Sequence, residues 1–246
     1  MNKITKLLTI SFIASNLLGT MPMSLAQDDN STRDTTEENQ KSTSILDALL
    51  SVLKSPENRL ITRGDRVCLI SPGQLGENIV YSDRPILVWS LLQSETPEST
   101  LNVYSDMANF NYEQDSQLIW SETIAANVAQ IPYQQDALEP GFLYKWQLVF
   151  PEKTYTSNFE VVEGSERELI TQELSILERE LQATNSSAED IAIAKADYFA
   201  EKQLWSDVVQ ELYIVENPSS SLLEKRREME LYLCGISKAK MKYHQN

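Results

Sequence analysis

The chain has 246 residues, 41% of them hydrophobic, and a formal net charge of −15. That length accommodates one or two domains with cores of their own. So acidic a balance disfavours nucleic acid and anionic lipid as partners, because both require cations that neutralise phosphate.

The N-terminus carries Lys3 and Lys6 without an acidic residue, then the apolar stretch Leu7 to Leu18, then Ser24-Leu25-Ala26 ahead of Gln27. A basic segment, an apolar core and a small-x-small site predict a signal peptide over 1–26 that is cleaved on export. Ser11, Ser15 and Asn16 interrupt the apolar run, which falls short of the roughly 20 residues a membrane span needs. No cysteine lies near Ala26, so no lipid anchor is expected. Cleavage removes two lysines and takes the charge from −15 to −17 on the remaining 220 residues. The expected location is periplasmic or secreted.

Residues 27–44 contain no apolar side chain. With nothing to bury against the entropy of ordering, they predict a disordered leader. Ile45 to Leu53 reads ILDALLSVL behind Ser44 and Asp47, a helix start, and Pro56 ends the short helix expected over 45–55. Its apolar positions cover more than one face, so it packs on something: a sheet edge, a partner or a membrane surface.

From 63 to 163 the rhythm is that of short strands between turn residues. Strands are expected near Val67–Ser71, Pro85–Leu92, Thr100–Ser105, Leu118–Thr123, Val128–Tyr133, Phe142–Phe150 and Tyr155–Val162. In the sixth, Phe142, Tyr144, Trp146 and Leu148 alternate with Leu143, Lys145 and Gln147, which predicts one buried face and one wet face. The turn Leu138-Glu139-Pro140-Gly141 followed by Tyr144 resembles the tyrosine corner of immunoglobulin-like sandwiches, with Trp89 as the aromatic of the opposing sheet. The resemblance, to fibronectin type III or immunoglobulin-like modules, implies a sandwich of about a hundred residues and carries no activity with it.

The helical half, expected over 165–246, opens on Ser165 with Glu168 as a capping box, followed by the stripe Leu169, Leu174, Leu177 and Leu181. Ser187 with Asp190 caps a second helix toward Lys202, Trp205 to Glu216 forms a third, and Leu222 to Lys242 a fourth. Ala196, Phe199, Val208, Leu212 and Val215 resemble one tetratricopeptide unit, although Val208 stands at a small-residue position and Pro218 comes two residues early. A single unit cannot bury its own faces, which predicts a helical hairpin rather than a solenoid.

The segments Cys68-Leu69-Ile70-Ser71-Pro72-Gly73, Tyr81-Ser82-Asp83-Arg84-Pro85, Ala194 to Ala200 and Leu204-Trp205-Ser206-Asp207 resemble a cyanobacterial family of exported proteins with a domain of unknown function. The likeness runs from Arg63 onward, implies a Gram-negative-type envelope location and supplies no catalytic residues.

Catalytic constellations are sparse. His244 is the single histidine, which removes the usual base of serine and cysteine hydrolases and most zinc ligand sets. G-x-S-x-G, Walker and G-x-G-x-x-G motifs are absent. The 36 acidic residues read as a solvated surface, and the oxygen-rich run Asp106 to Asp115, lacking the glycine and terminal glutamate of an EF-hand, reads as an ordinary loop. Cys68 and Cys234 are the two cysteines; after export they either close a disulfide or remain buried thiols.

These readings describe an α+β chain, an N-terminal antiparallel immunoglobulin-like β-sandwich followed by a bundle of about four helices. It is expected to be an exported, non-catalytic module for protein–protein interaction or structure in the cell envelope, with no cofactor and no metal. Its partners are expected to be envelope proteins, contacted through Asp83, Arg84, Phe110 and Tyr112. The alternative is a carbohydrate-binding or glycan-acting protein using Phe110, Tyr112 and Tyr133, whose aromatic faces could stack on sugars.

Overall fold

The computed structural model describes residues 67–76, 78–92, 97–106 and 116–235, together with Asp47, Leu50 and Ser51. The expected signal peptide and leader lie outside the described residues. In chain order the strands are β1 (Val67–Ser71), β2 (Ile79–Val80), β3 (Ile86–Leu91), β4 (Ser99–Asp106), β5 (Ser116–Ile124), β6 (Gln130–Pro132), β7 (Leu143–Val149) and β8 (Thr154–Val161). The helices α1 (Gly164–Ala183), α2 (Ala188–Glu201), α3 (Trp205–Ile214) and α4 (Ser220–Leu233) follow. The chain is therefore mixed α+β, with four helices and two sheets among the described residues.

A three-stranded sheet has the order β1-β3-β6, and a five-stranded sheet the order β2-β8-β7-β4-β5. Neighbours are antiparallel with one exception. β2, absent from the sequence expectation, pairs parallel with β8 through Ile79 and Val80 opposite Glu160 and Val161. In β7 the alternation holds: Tyr144, Trp146 and Leu148 are buried and the residues between them are half-buried.

The expectation of one wet face fails for the smaller sheet, since every residue of β1 and all but the last of β3 are buried. Val67, Leu69, Leu87 and Trp89 point into a core shared with Leu101, Val103, Trp146, Leu148, Phe159 and Val161 of the larger sheet. The alternate residues Cys68, Ile70, Ile86 and Val88 point the other way, into a second core built with Ile170, Phe199, Val208, Leu212 and Leu222 of the helices. Side chains alternate across a strand, so a strand sandwiched between two layers must be apolar throughout. That accounts for the unbroken run VCLI in β1. The segments read from the sequence as two domains thus share the β1-β3-β6 sheet as a common wall.

α3 lies against β1, β2 and β3, and eight of its ten residues are buried. α1 begins at Gly164, with Glu163 at its N-cap and no side-chain cap, so the Ser165 capping box does not form. The reason is the short exit from β8: the Val162 amide still donates to the Val80 carbonyl. The turn into the helix then falls on Gly164, whose φ of 62° suits glycine and places Ser165 inside the first turn. The buried positions of α1 are Ile170 and Leu174, whereas Leu169, expected on the apolar stripe, is 51% exposed. Ser187 and Asp190 form the expected capping box on α2. α4 starts at Ser220, capped by Ser219, and ends at Leu233, with Gly235 in the left-handed conformation. The helix expected to run to Lys242 therefore ends at Leu233, where Cys234 and the left-handed Gly235 turn the chain; residues 236–246 lie outside the described residues.

Of the short helix expected over 45–55, Asp47, Leu50 and Ser51 are described and are helical. Leu50 is buried in the core of the helical layer, and Asp47 Oδ1 lies 2.7 Å from Lys225 Nζ of α4. None of the helices among the described residues is long and apolar enough to cross a membrane.

Candidate functional site

Residues from three segments far apart in the chain, Ser71–Gly73, Tyr81–Asp83 and Ser206–Asp207, meet where α3 crosses the smaller sheet. Asp207 on α3 is 2% exposed, and its two carboxylate oxygens accept from the backbone amides of Tyr81 (2.7 Å) and Ser82 (2.9 Å). Its neighbour Ser206 accepts through Oγ from the Gly73 amide (3.2 Å), and its carbonyl accepts from Ser71 Oγ (3.3 Å). One turn further on, Gln210 accepts from the Ile86 amide (3.1 Å) and donates to Ser82 Oγ (2.9 Å). Arg167 of α1 completes the junction, donating to the Tyr81 carbonyl and, at 2.8 Å, to the Asp83 carboxylate. Burial pushes the Asp207 pKa up to about 7, opposed by the two amides and by Arg167, which favour the charged form.

The loop between β1 and β2 is held equally firmly from the other side. The Pro72 carbonyl accepts from Trp146 Nε1 (3.0 Å) and from Ser157 Oγ (2.8 Å) of the larger sheet. Gly73 follows with φ of 85°, and a side chain there would meet the Asn158 carbonyl oxygen at 1.9 Å. These buried polar groups are therefore engaged with one another, as buried donors and acceptors must be. The junction binds strand to helix.

An open groove lies elsewhere, where the N-terminal ends of α2 and α4 meet the C-terminal end of α3. Its volume is about 820 Å³, and its lining includes Ile191, Ile214, Val215, Glu189, Asp190 and Glu216. Ile214 is 57% exposed although it is a large aliphatic residue. The walls carry four carboxylates, those of Glu189, Asp190, Glu211 and Glu216, against the single ammonium of Lys195. Lys195 is bridged to Glu211 (2.9 Å) and to Glu178 (3.2 Å). Burial opposes its charge, but the facing carboxylates outweigh burial and raise its pKa above the usual lysine value.

The groove is framed rigidly. Glu189 accepts from the Ser219 amide (2.7 Å) and hydroxyl (2.6 Å), tying the start of α2 to the start of α4. Arg226 of α4 donates to the carbonyls of Leu212 (2.6 Å) and Val215 (3.1 Å), satisfying the C-terminal end of α3. Both helix starts that open toward the groove are thus already occupied by side chains of the protein.

The structure brings together some of the residues singled out in the sequence and separates others. Cys68 and Cys234 are joined as a disulfide, 5.9 Å apart at Cα, so the start of β1 is tied to the end of α4. Asp83 is held by Arg167 within the chain, and Arg84 beside it is exposed. Phe110 and Tyr112 lie outside the described residues, as does the loop of oxygen ligands after Asp106. Tyr133 is 5% exposed and packs edge-on against Trp120 at 5.3 Å, leaving no ring face for a sugar. No group of His, Cys, Asp and Glu side chains suited to a metal ion occurs among the described residues.

Sequence reasoning missed both the groove and the burial of Asp207. The residues Glu189, Asp190, Glu211 and Glu216 read as solvated charge in the sequence, and their convergence depends on how the helices pack. Comparison of the chain with family models, with curated proteins and with solved structures returned no match.

Proposed function

We propose that this chain is an exported, non-catalytic module that binds other proteins of the cell envelope, built as an immunoglobulin-like sandwich with a helical layer on its smaller sheet. The observation that carries the interaction reading is the open groove on the helical layer, with an aliphatic side chain exposed between acidic walls. A contiguous apolar surface rimmed by polar residues is a mark of a protein interface, and Ile191, Ile214 and Val215 line this groove together. The polar groups buried inside the molecule, by contrast, are engaged in holding its layers together.

Three features support the sandwich. Trp89 of the smaller sheet meets Trp146 of the larger at 6.4 Å between ring centres. The Tyr144 hydroxyl accepts from the Glu139 amide (2.7 Å) and donates to the Glu139 carbonyl (3.2 Å), the bonding of a tyrosine corner. The shared core supports it too: Val67, Leu69, Leu87 and Trp89 of the smaller sheet are buried together with Leu101, Val103, Leu148 and Phe159 of the larger. Export rests on the order of basic, apolar and small residues before Gln27. The likeness to a cyanobacterial family of exported proteins agrees with that reading, and residues of three of its four motifs meet at the sheet–helix junction.

Two measurements test the proposal. The protein recovered from the periplasm or medium is expected to begin at Gln27; an intact Met1 in the cytoplasm would contradict export. Mature protein used as bait in an oxidised envelope extract is expected to retain a defined partner that also binds it in purified form, and recovery of no such partner would contradict the interaction reading.

A further inference from the structure

We infer that the groove between α2, α3 and α4 docks a basic segment of a partner protein, an aliphatic side chain flanked on both sides by lysine or arginine. The inference rests on the interaction reading and specifies the chemistry of the partner. The aliphatic side chain would sit on Ile191, Ile214 and Val215, and the flanking cations would meet Glu189, Asp190 and Glu216.

The charge arrangement selects this occupant. A helix N-terminus ordinarily favours an anion, but here the starts of α2 and α4 are covered by Asp190 and Glu189, bonded to Ser187 and Ser219. The groove therefore presents carboxylates where bare helix ends would present amides. An anionic ligand would face the carboxylates of Glu189, Asp190 and Glu216, while the one lining ammonium, Lys195, is already bridged to Glu178 and to Glu211, itself 6% exposed. A wholly apolar ligand would desolvate those carboxylates without compensation. A cation flanking an apolar anchor does neither. A carboxylate has about four acceptor sites, so Glu189 can accept from a lysine while it holds Ser219. The volume of about 820 Å³ falls within the range of about 300–1,000 Å³ typical of ligand sites.

The test uses the mature, disulfide-closed protein and a positional library of fluorescein-labelled heptapeptides, followed by fluorescence polarisation with the best sequence. The expected result is enrichment of leucine or isoleucine at the centre and of lysine or arginine beside it. Binding should be saturable and weaken several-fold between low and physiological salt, because exposed charges are screened. Ile214→Asp and Glu216→Lys, both at exposed positions, should each weaken binding tenfold or more while leaving circular dichroism unchanged. Leu223→Asp, equally exposed on α4 but not part of the groove lining, should leave it unaltered. The inference is overturned by a library without basic preference, by equal binding of the glutamate counterpart, or by affinity that Ile214→Asp and Glu216→Lys leave intact. If no basic peptide binds but an envelope partner is still captured, the groove assignment alone falls. If neither occurs, the interaction reading falls with it.

Discussion

Asp207 shows how much of this molecule depends on single buried polar groups. Its carboxylate is enclosed by α3, by the Tyr81–Ser82 backbone, and by the neighbouring charges of Glu211 and Arg167. Its pKa rises from an ordinary 3.8 to about 7 on folding. Between those values the folded state holds one more proton than the unfolded one. The stability it contributes is therefore fully present below pH 3.8 and is lost as pH rises through about 7. The slope is at most about 1.4 kcal/mol per pH unit. Asp207→Asn removes the titration but weakens one of two bonds, so urea denaturation should show the substitution costing more at pH 5 than at pH 8; an equal cost at both would contradict the assignment. Gly73 makes a second prediction at this scale. With φ of 85° and the Asn158 carbonyl in the way, Gly73→Ala should lose at least about 3 kcal/mol in the same assay. Neither residue announces itself in the sequence: an aspartate in an acidic chain reads as surface, and the burial that alters it comes from a loop some 125 positions away.

At the level of elements, the strands were legible wherever alternation was long enough to read. β1, β3, β4, β5, β7 and β8 were expected close to their observed limits because each carries a run of apolar or alternating residues. β2 was not, since two residues hold no period and its pairing with β8 is purely a tertiary matter. The helices were legible in number and order, but the start of α1 was misplaced because the turn chemistry of Gly164 overrode the capping box at Ser165. This yields a paired prediction on caps. Ser187→Ala should cost about 1 kcal/mol by removing the cap of α2, while Ser165→Ala, inside the first turn of α1, should stay within about 0.5 kcal/mol. Thermal melts of the two variants compare them directly. Comparable losses at both sites would mean that Ser165 caps after all.

For the whole molecule, the change of rhythm near Ser165 correctly marks where sheets give way to helices, yet it does not mark a boundary in packing. The clue was present in β1: an unbroken VCLI run suits a strand covered on both faces better than the edge of a half-wet sheet. The groove was illegible for a different reason, because it is assembled from the ends of three helices whose charges look ordinary one at a time. The Cys68–Cys234 disulfide spans 166 positions and ties β1 of the common wall to the end of α4 in the helical layer. Its reduction should cost about 2–5 kcal/mol, seen as a fall in melting temperature under reductant.

If the β1-β3-β6 sheet is the shared wall of two cores, neither layer can unfold and leave the other intact. Trp89, Trp120 and Trp146 lie in the core between the sheets, whereas Trp205 and the helices build the other, so three of the four tryptophans report on the sheets. The direct measurement is equilibrium urea unfolding of the oxidised protein followed at once by tryptophan fluorescence and by circular dichroism at the helical minimum. Coincident single transitions are the expected result; two transitions separated along the urea axis would contradict it.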